Sequence, residues 1–232
     1  MGNKTGKGLS QEDKGEIREN RVQGKNLPAS RGPSYMRKID WEKIRRRIDK
    51  EITLFHFRKA SRLIKKALTA ARKEKNWFYI YYFTAQEYIL KERFKEAIKY
   101  LDKALKLNPS DSLSYNDKAI CLAEIGRFRE AEKIFDEGIR RNRDEAILYH
   151  NKGWLLNFLN KDRKAIINFH KALELDPQKA ESFFSLADSY YKLGNYREAK
   201  KYFEKAAKLV KGKSRYLFKE IERRLKEVIF YL

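Results

Sequence analysis

Residues 146–179 read AILYHNKGWLLNFLNKDRKAIINFHKALELDPQK, and rows of the same length that begin at Phe78, Ser112 and Ala180 repeat their pattern. The period is 34 residues, which is the length of one pair of short helices with its turns. Because four such rows follow one another without interruption, the sequence predicts a stack of helix pairs that share a continuous core.

Five positions of the row carry the repeat. Positions 4 and 24 hold large side chains, whereas all twelve residues at positions 8, 20 and 27 are Ala or Gly. Since these two residue types make up only about one residue in eight of the chain, the coincidence is not chance. Small residues let neighbouring helices cross closely, and large ones fill the gaps between crossings. The large residues are Tyr81, Tyr115, Tyr149, Phe183, Leu101, Phe135, Phe169 and Phe203, and the small ones are Ala85, Ala119, Gly153, Ala187, Ala97, Ala131, Ala165, Ala199, Ala104, Gly138, Ala172 and Ala206.

This pattern resembles the tetratricopeptide repeat, which has an aromatic residue at position 4, Gly or Ala at 8, Ala at 20, an aromatic residue at 24 and Pro at 32. The segment KALELDP at 171–177 is close to the usual end of such a repeat. Position 32 is Pro109 and Pro177 in two rows but Arg143 and Lys211 in the others, which weakens single turns. The resemblance implies an all-α fold, a right-handed α-solenoid of tetratricopeptide helix pairs with a C-terminal capping helix.

Two further elements flank the four rows. From Trp41 onward, behind the N-cap candidate Asp40, apolar residues recur at helical spacing and predict a degenerate first unit. After the last row, Leu217, Ile221 and Leu225 mark one face of a closing amphipathic helix. The segment before Asp40 is rich in Gly and has no periodicity, which is typical of a flexible tail. The predicted boundaries are 1–38 for a flexible basic tail, 39–232 for the solenoid, 41–77, 78–111, 112–145, 146–179 and 180–213 for its repeats, and 214–232 for the capping helix.

Composition argues against catalysis. The single cysteine, Cys121, excludes an internal disulfide and a zinc ribbon. The three histidines, His56, His150 and His170, have no second ligand at metal-binding spacing. We therefore expect a protein that is not an enzyme, with no catalytic residue, metal site or cofactor. Because the chain has no long apolar run and no signal-peptide pattern, we also expect a cytoplasmic location and no membrane partner.

In the family that the repeats resemble, the first helix of each pair lines a concave groove with positions 2, 5, 6, 9, 12 and 13. The resemblance therefore implies a groove for a protein or peptide partner, and its lining here is aromatic and amide-rich. Trp154 is the sharpest signal, since its position 9 usually holds a small polar residue. Tyr82, Phe184 and Tyr191 either contact the partner or have only a structural role in the sides of the groove. The candidate groove residues are Tyr79, Tyr82, Gln86, Asn116, Ile120, His150, Asn151, Trp154, Asn157, Phe184, Asp188 and Tyr191.

The net charge of +22 is concentrated at one end of the chain. Residues 41–77 carry thirteen Lys or Arg against four acidic residues, whereas residues 112–145 carry seven against eight. Such a basic end is either a solvent-exposed face without a partner or an electrostatic binding surface for a polyanion. Two functions stay open: an interaction scaffold that uses the groove, and an RNA- or ribosome-associated factor that uses the basic unit and tail. The candidate polyanion contacts are Lys59, Arg62, Lys66 and Lys73.

The chain ends in Phe230, Tyr231 and Leu232, which cap a helix poorly. These side chains either dock onto the last repeat or meet a second subunit. The predicted state is a monomer or a homodimer formed through the C-terminal helix.

Overall fold

The computed structural model describes residues 39–212 and 214–232, and the tail expected at residues 1–38 lies outside this part of the chain. Within it the protein is built from eleven α-helices and no strand, which confirms the all-α solenoid with a capping helix. The helices are α1 (Trp41–Thr53), α2 (Phe57–Lys73), α3 (Trp77–Ile89), α4 (Phe94–Leu107), α5 (Ser112–Glu124), α6 (Phe128–Arg141), α7 (Ala146–Phe158), α8 (Asp162–Leu175), α9 (Ala180–Lys192), α10 (Tyr196–Val210) and α11 (Arg215–Phe230).

The helices pack mainly against their neighbours along the chain. The main contacts join α3 to α4, α5 to α6, α7 to α8 and α9 to α10, and each pair also touches the next. The first helices of adjacent pairs meet as well, α5 with α7 and α7 with α9. Each unit is therefore stabilised mainly by the units beside it, as in other solenoids.

The turn inside each helix pair places row position 15 in the left-handed backbone region. Gly126 and Gly194 adopt φ values of 76° and 74° there, and glycine does so without steric cost. The same position is Glu92 and Asn160 in the other two rows and Phe55 in the first unit, with φ between 56° and 57°. In these residues the Cβ atom crowds the following carbonyl, so the turn is imposed by the packing of the two helices.

Small side chains occupy the helix crossings. At Gly138 an added Cβ atom would lie 2.8 Å from the Cβ atom of Tyr115, and at Gly153 it would lie 2.8 Å from the Phe169 ring. Both contacts are too short for alanine, so these two crossings are tighter than those where the family position holds Ala. The alanines at position 20 are completely buried, as the repeat pattern predicts: Ala97, Ala131, Ala165 and Ala199.

The last helix, α11, closes the stack by packing on α10. Ile221 and Val228 are its buried residues, and the Ser214 side chain caps its N-terminus by accepting from the backbone N–H of Leu217. At the other end, Asp40 caps α1 by accepting from the backbone N–H of Lys43 at 2.9 Å. None of the helices in the described ranges combines the length and the apolar character that crossing a membrane requires.

Candidate functional site: the groove of first helices

The first helices of the pairs, α1, α3, α5, α7 and α9, carry the groove positions of the family, and we call the surface that these positions form the groove. At its N-terminal half, side chains of α1, α3, α5 and α7 surround a cavity of about 340 Å³. We call it the groove cavity. Its walls are mainly aliphatic, and its polar groups come from groove positions of all four helices. The walls include Ile48, Ile52, Ile89, Leu113, Ile120 and Ile147, and the polar groups include Arg45, Arg46, Asp49, Gln86, Asn116, Asp117 and Asn151.

A ladder of hydrogen bonds joins four of these polar groups across three helices. Asn151 donates its Nδ2 to the Oδ1 atom of Asn116 at 2.6 Å, and Asn116 donates to the Oδ1 atom of Asp117 at 3.2 Å. From the other side, Gln86 donates its Nε2 to the Oδ2 atom of Asp117 at 2.5 Å. The donors of all three amides therefore run toward one carboxylate, Asp117. We call these four residues the amide ladder.

Asp117 is held in an environment that opposes its charge. Burial raises the pKa of its carboxyl to about 6, although Arg45 and the two amide donors lower it. Because this folded-state pKa lies above the unfolded value, Asp117 stabilises the fold only when protonated. That stability is lost as the pH rises from about 4 through about 6. At neutral pH the ionised carboxylate is thus a cost to the fold, which is a feature typical of functional sites.

Arg45 of α1 fixes the N-terminal end of the groove. Its Nη1 and Nη2 atoms donate to the Oδ1 and Oδ2 atoms of Asp111 at 2.8 Å and 2.9 Å, and only 4% of Arg45 is exposed. The same guanidinium lies 4.1 Å from the centre of the Tyr82 ring. Asp111 also caps α5 by accepting from the backbone N–H of Ser114. The ion pair therefore joins α1 to α5 across α3.

Arg224 of the capping helix has a matching role at the C-terminal end. It forms an ion pair with Asp188 of α9, and its guanidinium lies 4.4 Å from the centre of the Tyr191 ring. Lys192 lies 3.5 Å from the same carboxylate. The two terminal helices thus contact side chains at both ends of the row of first helices.

Polar contacts continue between α7 and α9. The Nδ1 atom of His150 lies 2.8 Å from the Oγ atom of Ser182, and Asn157 donates to the Oγ atom of Ser189 at 2.8 Å. Burial lowers the pKa of His150 to about 4, so its ring is neutral at physiological pH. Lys192 donates to the Oδ1 atom of Asn157 at 2.6 Å. These hydrogen bonds join α7 to α9. Because they occupy polar atoms of His150 and Asn157, fewer of these atoms are available to a partner.

Trp154 lies on α7, one turn after Asn151, and does not line the groove cavity. The indole is 45% exposed and stacks on Phe158, which is 58% exposed, with ring centres 6.0 Å apart. Phe128, which is partly buried, adjoins Phe158 with ring centres 5.6 Å apart. We call these three residues the aromatic patch. Exposed aromatic side chains grouped in this way are typical of a protein-binding surface.

The structure divides the sequence-predicted groove residues into two groups. Tyr82, Gln86, Asn116, Ile120 and Asn151 border the groove cavity, and three of these are buried within the fold. The other group lies outside the cavity. Of these, Tyr79 stacks on Trp41, Phe184 packs against Phe203, His150 and Asn157 bond to α9, Asp188 and Tyr191 meet Arg224, and Trp154 is exposed.

Three side chains that matter for the groove, Arg45, Asp111 and Arg224, lie outside the sequence-predicted set. Arg45 occupies position 5 of the first unit, so extending the family positions to that unit would have found it. Asp111 precedes the helix that it caps, and Arg224 belongs to the capping helix. No local pattern connects these residues with their partners, which lie 66 and 36 residues away.

The candidate polyanion contacts lie on the second helix, outside the groove. Lys59, Arg62, Lys66 and Lys73 are all exposed on α2. The helix contains three more exposed cations, Arg58, Lys65 and Arg72, and no acidic residue.

The C-terminal aromatics divide between the two sequence-based alternatives. Tyr231 stacks on Tyr196 with ring centres 4.8 Å apart, so it docks onto the last repeat. Phe230 and Leu232 are exposed, together with Ile229. A homodimer through this helix stays a prediction.

Comparison with known proteins places the repeats in a family. Models described as tetratricopeptide repeats match residues 88–152, 146–179 and 180–212. No curated protein matches the chain. Among solved structures, MamA is 25% identical, with a TM-score of 0.55 over 72% of this chain and 95% of its own.

Two further solved structures share the fold at lower identity. TTC0263, a thermophilic protein of Thermus thermophilus, is 17% identical, with a TM-score of 0.66 over 82% of this chain and 98% of its own. YrrB, described as having an unusual peptide-binding site, is 19% identical, with a TM-score of 0.53 over 76% of this chain and 88% of its own. Since the family models cover the chain continuously from residue 88 to residue 212 and the helix pairs have the family's architecture, this protein belongs to the tetratricopeptide repeat family.

Proposed function

We propose that this protein is a non-enzymatic interaction scaffold that binds a peptide or one helix of a partner protein in the groove of first helices. The observation that carries the proposal is the aromatic patch, in which Trp154 and Phe158 are exposed and Phe128 is partly buried. The description of YrrB as a protein with a peptide-binding site supports the same use of this fold.

The groove offers two kinds of contact. The rings of Trp154 and Phe158 supply a large apolar area at low cost in side-chain entropy. One turn before Trp154, Asn151 has one donor hydrogen in the amide ladder, and its side-chain carbonyl accepts no hydrogen bond within the described residues. An amide of this kind bonds to the backbone of a partner whatever its side chains are. The combination suits an extended segment or one helix face.

The Trp154→Ala variant tests the proposal. We expect it to keep the circular dichroism spectrum and thermal midpoint of the parent, because the indole is half-exposed. The affinity for the partner should fall by about 1 kcal/mol or more, as for an aromatic hot spot. Calorimetry with the partner recovered from the source cell measures this loss.

The matched control is Ile167→Ala, which removes an exposed apolar side chain from the second helix α8. Its affinity should equal that of the parent. Equal affinities for the parent and Trp154→Ala would contradict a groove-bound partner, and unfolding of Trp154→Ala would assign the indole to the core.

A second candidate function is an RNA- or ribosome-associated factor. It is favoured by α2, whose seven exposed cations face no acidic residue on the same helix. Such a row neutralises phosphates without reading sequence. The salt dependence of RNA binding separates this candidate from the scaffold and is treated in the Discussion.

A further inference from the structure

The groove cavity contains a carboxylate that the fold does not neutralise. Two cations line the cavity, Arg45 and Arg46, together with a second carboxylate, Asp49. Both Nη atoms of Arg45 are bonded to Asp111, and the charge of Arg46 is matched by that of Asp49. Asp117 therefore leaves the cavity with a negative charge in excess. An ionised group kept in such a place at a cost to stability indicates that a ligand supplies the missing charge.

The direction of the amide ladder leaves acceptors for a ligand. Gln86 and Asn116 point their Nδ or Nε donors at Asp117, and Asn151 points its donor at Asn116. An amide that donates on one side presents its carbonyl oxygen on the other. The side-chain carbonyls of Gln86 and Asn151 accept no bond within the described residues, so the cavity offers them together with the carboxylate. A ligand group with several donors and no acceptor fits this arrangement.

The walls define the rest of the ligand. Ile48, Ile89 and Ile120 are among the aliphatic side chains that surround the polar groups, and the cavity volume is about 340 Å³. An unbranched alkyl chain buries its methylene groups well against such walls. The cation must therefore sit at the end of an aliphatic stem.

Charge along the groove points the same way. At the groove positions of the five first helices, six side chains are acidic and three are basic, although the whole chain has a net charge of +22. The partner segment that fits this groove is cationic, because acidic segments meet repulsion there.

We propose that the groove cavity binds a lysine side chain of the partner segment, with the stem between the isoleucine walls and the ammonium group bonded to Asp117. This inference rests on the proposed function and names the side chain that the groove selects. The ammonium of lysine has three donors and no acceptor, which matches the carboxylate and the two free carbonyls.

The test uses three small probes with the full-length protein: capped lysine (N-acetyl-lysine N′-methylamide), capped norleucine and capped glutamate. Isoleucine methyl resonances report binding, because Ile89 and Ile120 line the cavity. We expect capped lysine to shift these two resonances, capped norleucine to bind about tenfold more weakly, as loss of a charge-assisted hydrogen bond implies, and capped glutamate not to bind.

The Asp117→Asn variant should bind capped lysine no better than capped norleucine. Its thermal midpoint should stay close to that of the parent, because the loss of a carboxylate that the fold keeps ionised at a cost offsets the loss of one acceptor of the amide ladder. The matched control is Glu124→Gln, an exposed groove carboxylate on the same helix, which should keep the preference for lysine. If Asp117→Asn loses the preference for capped lysine and also has a thermal midpoint well below that of the parent, Asp117 has a structural role and the inference is overturned.

Equal binding of norleucine and lysine, or tighter binding of glutamate, would also overturn it. Failure of the proposed function has a different signature. If partner binding depends on Trp154 but capped lysine does not bind, only the lysine site is wrong. If capped lysine binds but partner affinity is unchanged in Trp154→Ala, the lysine site is supported and the scaffold proposal is wrong.

Discussion

The Asp111→Ala variant should lower the free energy of unfolding by about 3 to 5 kcal/mol, which is the usual effect of removing one partner from a buried ion pair. Arg45 is 4% exposed and directs two donors at this carboxylate, so the variant leaves the buried cation with only one carboxylate contact, from Nη1 to the exposed Glu42 at 3.0 Å. The N-cap of α5 is lost at the same time, because Asp111 accepts from the backbone N–H of Ser114. Urea unfolding followed by circular dichroism measures the change.

The control for this prediction is the double variant Arg45→Met with Asp111→Ser. Methionine keeps an apolar stem in the place of Arg45, and serine keeps a side-chain cap for α5. Since no uncompensated charge remains, the double variant should be more stable than Asp111→Ala by about 2 kcal/mol or more. A loss below about 1 kcal/mol for Asp111→Ala, where an unpaired buried charge normally costs 3 or more, would contradict the role of the ion pair.

The second large effect concerns RNA. If the basic helix α2 binds phosphate, the variant with Lys59, Arg62, Lys66 and Lys73 all changed to Gln removes up to four phosphate contacts. The slope of log affinity against log salt should then flatten by about 2.5 to 3.5, at roughly 0.7 to 0.9 for each contact. Fluorescence anisotropy with a labelled poly(U) oligonucleotide, measured across a salt series, gives both slopes.

Stability should barely change in this variant, because all four side chains are exposed. The matched control changes Lys208, Lys211, Lys219 and Lys226 to Gln, which removes the same charge from exposed positions at the other end of the solenoid. The control should keep the parent slope. Equal slopes for both variants, or no RNA binding by the parent at about 50 mM salt, where such contacts are strongest, would exclude the RNA candidate.

The fold could be predicted from the sequence because the repeat fixes it locally. Ala97, Ala131, Ala165 and Ala199 recur every 34 residues, and they are buried because each helix pair meets the next in the same way. The repeat pattern accepts either Gly or Ala at the positions of Gly138 and Gly153, so the pattern does not show that glycine is required there. It is required because Tyr115 and Phe169 lie too close for a methyl group.

The site could be predicted only in part. Groove positions carried over from the family found Gln86, Asn116 and Asn151, which join in one ladder because the positions repeat with the helices. The same positions gave no sign that Tyr82 lies beneath Arg45 or that Tyr191 lies beneath Arg224. These contacts link residues from different units, so no periodicity within a unit reports them.

The central claim is that a partner protein lies in the groove, and photo-crosslinking tests it most directly. A benzoylphenylalanine residue is placed at Trp154 in one sample and at Ile167, an exposed position on α8, in the other. Both full-length proteins are irradiated in a lysate of the source cell. We expect one discrete protein adduct from position 154 and none from position 167. An adduct of equal yield from position 167, or none from position 154, would contradict binding in the groove.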